Sequence, residues 1–253
     1  MSLHQIMVKH GHTLFRLRSY IPLLFIGPLF LALRENAHLE DIVGDKAEDI
    51  WVLFCFIVSL CGLAIRWFTV GFVPKGTSGR NTQSQRATHL NTSGMYSIVR
   101  NPLYLGNFIT ILGLLMSIMV WWLVLIVSLV FFIYMERIIL AEESFLEEQY
   151  GATYNEWRSK TPAILPNIRM WRTPDMKLSV RTILKREYPG LLGLATAFFV
   201  TEAVRDLFIE GETLSHWLVE DMAWPVTYAA IVLFCLTLRT LKKHTSVLKV
   251  EGR

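Results

Sequence analysis

The chain has 253 residues, is 53% hydrophobic and carries a formal net charge of +4, with a mean hydropathy of +0.39. A soluble domain is ordinarily about 45–50% apolar, and here the excess is gathered into runs such as 50–73 and 103–135. That distribution excludes an ordinary water-soluble core. It also makes nucleic acid a poor partner for the positive charge, because about 20 apolar residues cross a bilayer and a polytopic membrane protein accounts for both features.

The N-terminal stretch holds Lys9, Arg16 and Arg18 ahead of an apolar run that Pro22 and Pro28 interrupt. No small-residue cleavage site follows, so this reads as mature chain rather than a signal peptide. The first span is expected over 19–33, lengthened by snorkelling of Arg16 and Arg18. An acidic loop over 34–49 leads to a second span over 50–73, which carries Arg66 in its inner half. Residues 74–99 are rich in Gly, Ser, Thr, Asn and Gln, include Lys75, Arg80 and Arg86, and lack periodicity; they read as loop. A third span follows from Pro102 to about 117 and a fourth over about 121–140, with no charge between them. From Glu136 to about Trp157 the chain should continue as helix out of the membrane, until Pro162 and Pro166 stop it. Residues 167–187 are basic with interleaved apolar side chains, a pattern that fits a segment lying on the membrane surface and equally a plain cytosolic linker. A fifth span is expected over 189–204 and a sixth over 223–238, separated by the acidic stretch 206–221 and followed by a basic tail.

Basic residues crowd the N-terminus, 74–100, 136–186 and the tail, whereas 34–49 and 206–221 are acidic. By the positive-inside rule the chain is an all-α, polytopic integral membrane protein of about six transmembrane helices with both termini in the cytosol. Three regions result: 1–93, two spans and a polar loop; 94–166, a motif, a helical hairpin and a cytosolic helix; and 167–253, a basic linker and a two-span extension. A cell inner membrane with the site facing the cytosol is the expected location. Cys55, Cys61 and Cys235 sit inside apolar runs and read as packing residues. The histidines form no ligand spacing, so no metal is expected.

Polar motifs flank the central hairpin. The first is Arg100-Asn101-Pro102-Leu103-Tyr104-Leu105-Gly106; the second contains Glu142-Glu143, Leu146, Tyr150-Gly151, Tyr154 and Trp157. A hairpin that turns on the far side returns both to one membrane face. Together they resemble the membrane methyltransferase superfamily that includes isoprenylcysteine carboxyl methyltransferases and phospholipid N-methyltransferases. The family pattern runs Arg-His-Pro-x-Tyr-x-Gly, hairpin, then Glu-Glu-x-x-Leu-x-x-x-Phe-Gly-x-x-Tyr-x-x-Tyr. Asn101 replaces the His, Tyr150 the Phe and Trp157 the last Tyr.

The resemblance implies S-adenosyl-L-methionine as cofactor and a membrane lipid or lipidated molecule as acceptor, with the bilayer as setting. It implies cofactor contacts for Asn101, Pro102, Tyr104, Gly106, Glu142, Glu143 and Tyr154. The residues also have plainer readings. Asn101-Pro102 is a good helix start, and the same start offers amides to a carboxylate. Arg100 suits a carboxylate or anionic headgroup, or an interfacial anchor. Tyr104 is either a belt residue or an aromatic partner for a sulfonium. Gly106 permits close approach of a backbone or of the cofactor. Glu142 and Glu143 diverge by about 100° on a helix, so they cannot serve one atom. Arg137 is an anchor or a site residue; with Arg100, Tyr104 and Glu142 it completes the candidate catalytic set. Tyr154, at helical spacing from Tyr150 and Trp157, is a packing residue or a pocket wall. Arg66 inside a span and Arg80 in the polar loop are candidates for the acceptor. A phosphate or carboxylate acceptor needs no general base and is favoured over an amine. An NADPH-dependent, sterol-reductase-like oxidoreductase and a non-catalytic lipid-binding protein are the rival readings.

Overall fold

The computed structural model describes residues 2–17, 20–36, 45–74, 89–220 and 222–252. Every regular element among them is helical. Helix α1 (Leu3–Leu17) is amphipathic and packs along α6 (Trp121–Tyr150). The contact is made at Gly11, where any Cβ would run into the carbonyl oxygen of Arg137 and lie 2.8 Å from Ala141 Cβ. The expected first span is not one helix. A 3-10 turn, Ile21–Phe25, with Pro22 at its start, precedes α2 (Ile26–Asn36), because proline brings no N–H to a longer helical ladder.

Helix α3 (Asp45–Gly71) is followed by the single turn α4 (Met95–Ile98) and by α5 (Pro102–Ser117). Helices α3 and α5 form the closest pair through small residues. A Cβ on Gly106 would stand 2.7 Å from both Gly62 O and Arg66 Cγ, and one on Gly62 would collide with the Thr110 amide. Ser59 Oγ donates to Thr110 O at 2.9 Å across the same seam. Helix α6 was expected to run unbroken to about Trp157. It stops at Tyr150, because Gly151 takes φ +50°, a left-handed value that glycine adopts without steric cost, and the chain restarts as α7 (Ala152–Lys160). The end of α7 just ahead of Pro162 is as anticipated.

Helix α8 (Val180–Val204) begins nine residues before the expected start at 189. Ser179 caps it, accepting from Thr182 N at 3.2 Å, and Pro189 lies inside. A π-helical turn, Arg205–Glu210, and the short α9 (Leu214–Glu220) lead to α10 (Ala223–His244). Among the described residues, three helices are long and apolar enough to cross a membrane: Ala47–Gly71, Trp121–Tyr150 and Ala223–His244. Helix α5 is apolar but has 16 residues, about 24 Å at the helical rise against a hydrocarbon layer of about 30 Å.

Candidate active site

A cavity of about 760 Å³ lies among α1, α2, α3, α5, α6 and α8. Its wall changes character along α5. Beside Ile111 and Leu115 it is lined by Phe25, Leu29, Leu123 and Val127; beside the start of α5 it is lined by Arg66, Tyr96, Arg100, Asn101, Glu142, Glu143 and Glu187. Both motifs therefore reach one space, although α5 and α6 separate them in the chain.

The two glutamates diverge as their adjacent helical positions require. Glu142 Oε1 accepts a hydrogen bond of 2.8 Å from Tyr104 OH. Glu143 turns the other way. Its Oε1 lies 3.2 Å from Arg100 Nη2, and its Oε2 lies 3.5 Å from Arg158 Nε. The first contact is an ion pair by distance without hydrogen-bond geometry: Glu143 Oε1 and Arg100 Nε are both buried and lack a hydrogen-bond partner. Tyr154 is fully buried against them, and its hydroxyl also lacks one. Burial, then the negative charge of Glu143, pushes that phenol above its ordinary pKa. Tyr96 is pushed the same way, by burial and then by Glu142.

Asn101 does not cap α5 through its side chain. Its Nδ2 instead donates to Ala163 O at 3.1 Å, while Arg100 N donates to Pro162 O at 2.8 Å. The first motif is thereby stitched to the chain that leaves α7, and Asn101 and Pro102 still face the cavity. Arg66 also faces it, but the protein occupies its guanidinium. Nε and Nη2 reach Glu187 at 2.9 and 3.1 Å, and Nη1 reaches Asn107 Oδ1 at 2.6 Å. Gly106 serves the α3 seam rather than the cavity wall. Arg137 stands apart: it pairs with Glu136 at 3.0 Å, does not line the cavity and carries α1 on its carbonyl. Arg80 lies outside the described residues. Glu187, Asn107 and Tyr96 were not singled out in the sequence. Glu187 had one signal, a carboxylate ending the basic run Lys185-Arg186 where the chain enters an apolar stretch.

Residues 54–153 match the phospholipid methyltransferase family profile. A protein-S-isoprenylcysteine O-methyltransferase of Schizosaccharomyces pombe is 37% identical over 79 residues, 31% of this chain and 34% of the relative. The central segment is therefore similar to integral membrane methyltransferases. A nickel-cobalt-cadmium resistance protein, NccN, of Alcaligenes xylosoxydans xylosoxydans is 28% identical over 133 residues, 52% of this chain and 59% of that protein. The matches thus span about a third and three-fifths of the two relatives. No solved structure gives a significant match. Among the described residues no group of His, Cys, Asp and Glu is placed to hold a metal ion.

The similarity makes S-adenosylmethionine the ligand against which the polar end is compared. Three buried polar atoms there, Arg100 Nε, Glu143 Oε1 and Tyr154 OH, lack a hydrogen-bond partner, and leaving such atoms unsatisfied costs about 1–3 kcal/mol each. A ligand with a carboxylate and an ammonium group satisfies the donor and acceptor set. The volume also falls within the range of about 300–1,000 Å³ usual for small-molecule sites.

Proposed function

We propose that this protein is an S-adenosylmethionine-dependent methyltransferase of the membrane whose acceptor is a lipid or a lipidated molecule. The acceptor bears a lipid phosphate, a lipid amine or a prenylcysteine carboxylate and comes laterally from the cytosolic leaflet of an inner membrane. Six passes with both termini in the cytosol fit the charge alternation. The observation that carries the reading is a single cavity with the Arg100–Glu143 and Tyr104–Glu142 pairs at one end and an apolar wall along the rest of α5.

When bound, S-adenosylmethionine supplies an electrophilic methyl group. Arg100, Glu143 and Tyr154 are the residues that would hold its methionine end. Tyr104 is fixed by Glu142, so its phenol oxygen and ring are oriented before any ligand arrives. Holding two reactants in line is worth up to about 7–11 kcal/mol in the best intramolecular cases. The apolar wall takes the acceptor's hydrocarbon and excludes water. A phosphate or carboxylate acceptor is ionised already. An amine acceptor has to lose a proton, and Glu142 is the candidate base on that wall, although it is engaged by Tyr104. An oxygen acceptor is therefore favoured.

Purified protein titrated with S-adenosylhomocysteine and with NADPH tests the cofactor, and the former alone is expected to bind. Radiolabelled methyl incorporation into total lipid extract tests the reaction. Equal labelling by the parent and by Glu142→Ala, Glu143→Ala would overturn the proposal, as would binding of NADPH alone.

A further inference from the structure

The segment between α7 and α8, residues 161–179, is not a membrane span, yet it exposes large apolar side chains. Leu165 is 80% exposed and Ile168 76%, with Ile164, Trp171 and Leu178 near 45%. Elsewhere such exposure falls mainly on helices, among them the three long and apolar enough to cross a membrane. The level of this segment is fixed at both ends. At its start, Pro162 O accepts from Arg100 N and Ala163 O accepts from Asn101 Nδ2; Asn167 N then donates to Ile98 O at 2.9 Å. These partners immediately precede Pro102, where α5 begins. At the other end, Ser179 N donates to Gly71 O at 2.9 Å, where α3 ends. The segment therefore runs along the plane in which two apolar helices terminate. Arg169, Arg172, Lys177 and Arg181 are exposed along it and just beyond. The acid among them, Asp175, accepts from Ser93 Oγ at 3.3 Å.

We propose that residues 161–179 form an interfacial anchor that seats on the headgroup layer of an anionic leaflet. Ile164, Leu165 and Ile168 enter the acyl boundary, and Arg169 and Arg172 lie among acidic headgroups. Apolar side chains at that level gain from burial in the interface. Each basic residue near an anionic surface adds roughly fivefold to the partition, the equivalent of about 1 kcal/mol. The anchor also couples membrane and site. The carbonyls of Pro162 and Ala163 hold Arg100 and Asn101, so the depth of the segment sets the height of the cavity's polar end against the headgroups. The anchoring itself does not depend on methyl transfer.

The test uses Leu165→Cys in a Cys61→Ser background, since Cys55 and Cys235 are buried. The new thiol carries a polarity-sensitive fluorophore, and the full chain sits one copy per nanodisc in brominated-chain phosphatidylcholine, with or without about 30% phosphatidylglycerol. Thr153→Cys, exposed on α7 beyond the span, is the aqueous control. Bromine quenching at position 165 is expected to exceed that at 153 several-fold. It should fall at least about twofold when the anionic lipid is omitted or when Arg169→Gln and Arg172→Gln are introduced. Quenching at 165 no greater than at 153 would overturn the anchor. So would shielding of 165 that arises only with two copies per disc, which assigns the surface to a second copy. Equal quenching in neutral and anionic discs, unaffected by the glutamines, would overturn the anionic leaflet. The readout needs neither donor nor acceptor, so its failure and the failure of the methyltransferase reading are separable.

Discussion

Two buried ionic regions sit at different helix ends and are completed differently. Beyond the end of α8, Arg205 is enclosed by carboxylates. Its Nη1 pairs with Glu48 of α3, its Nη2 donates to Glu202 at 2.7 Å and its Nε to Asp206 at 3.1 Å, with Glu210 at 3.5 Å. Trp217 Nε1 closes the set on Asp206 at 2.7 Å. All three guanidinium nitrogens are engaged. At the start of α5, Arg100 has an equally buried carboxylate beside it, yet Arg100 Nε, Glu143 Oε1 and Tyr154 OH are left without hydrogen bonds. Buried charge by itself thus distinguishes nothing here. What differs is the guanidinium: all three nitrogens of Arg205 are engaged, although Glu212 Oε2 beside Asp206 is buried without a hydrogen-bond partner, whereas Arg100 Nε, next to the cavity, is not engaged.

The comparison breaks most visibly at Arg205. Arg205→Met leaves three or more buried carboxylates without their cation, and breaking a buried pair on one side costs about 3–5 kcal/mol. The melting temperature in detergent should fall steeply, while the fraction that stays folded binds S-adenosylhomocysteine with unchanged affinity. Glu142→Ala with Glu143→Ala should do the opposite. Methyl incorporation is expected to drop on the order of 100-fold or more, as when preorganised polar groups are removed from other sites, with a smaller thermal shift than that of Arg205→Met. An intermediate case is Arg66. Glu187→Gln keeps a hydrogen-bonding side chain but removes the charge, and should cost about 1–3 kcal/mol in chemical denaturation. Replacing both partners, Arg66→Met with Glu187→Met, should recover most of that loss, because an apolar pair spares both desolvation penalties. Failure of the double variant to bind the cofactor analogue would move Arg66 from wall to ligand contact.

The sequence carried the hairpin logic well. Arg100 to Tyr104 and the Glu142–Glu143 pair do line one cavity, while Gly106 turns to the α3 seam, because two apolar runs with no charge between them leave little choice but to turn back. It carried long-range partners poorly. Arg66 reads as a lone charge in a span, and nothing local links it to Glu187, 121 residues away. Asn101 before Pro102 looks like a cap, but its amide is drawn to Ala163 by a tertiary contact that local propensity does not register. Helix α1 was read only as basic flanking chain, although Gly11 is what allows it to press on the Arg137 carbonyl. The break at Gly151 and the early start of α8 at Ser179 had local signals, a glycine and a capping serine, but both lie in polar or basic stretches where hydrophobic runs give no boundary.

The smallest expected effect is the sharpest test of the contrast. Tyr154 is fully buried, and its hydroxyl has no hydrogen-bond partner. Tyr154→Phe removes that oxygen and keeps the ring that packs on Trp157, 5.7 Å between centroids. If the hydroxyl serves the fold, the variant should lose stability. The structure argues otherwise: deleting an unsatisfied buried group relieves its desolvation cost, so unliganded protein should melt at the same temperature or slightly higher. The loss should appear only with ligand, as a three- to tenfold weaker affinity for S-adenosylhomocysteine, roughly the 0.5–1.5 kcal/mol of one hydrogen bond. A Phe variant that melts earlier and binds equally well would make Tyr154 an ordinary core residue, and the contrast between the two regions would lose one of its three supports.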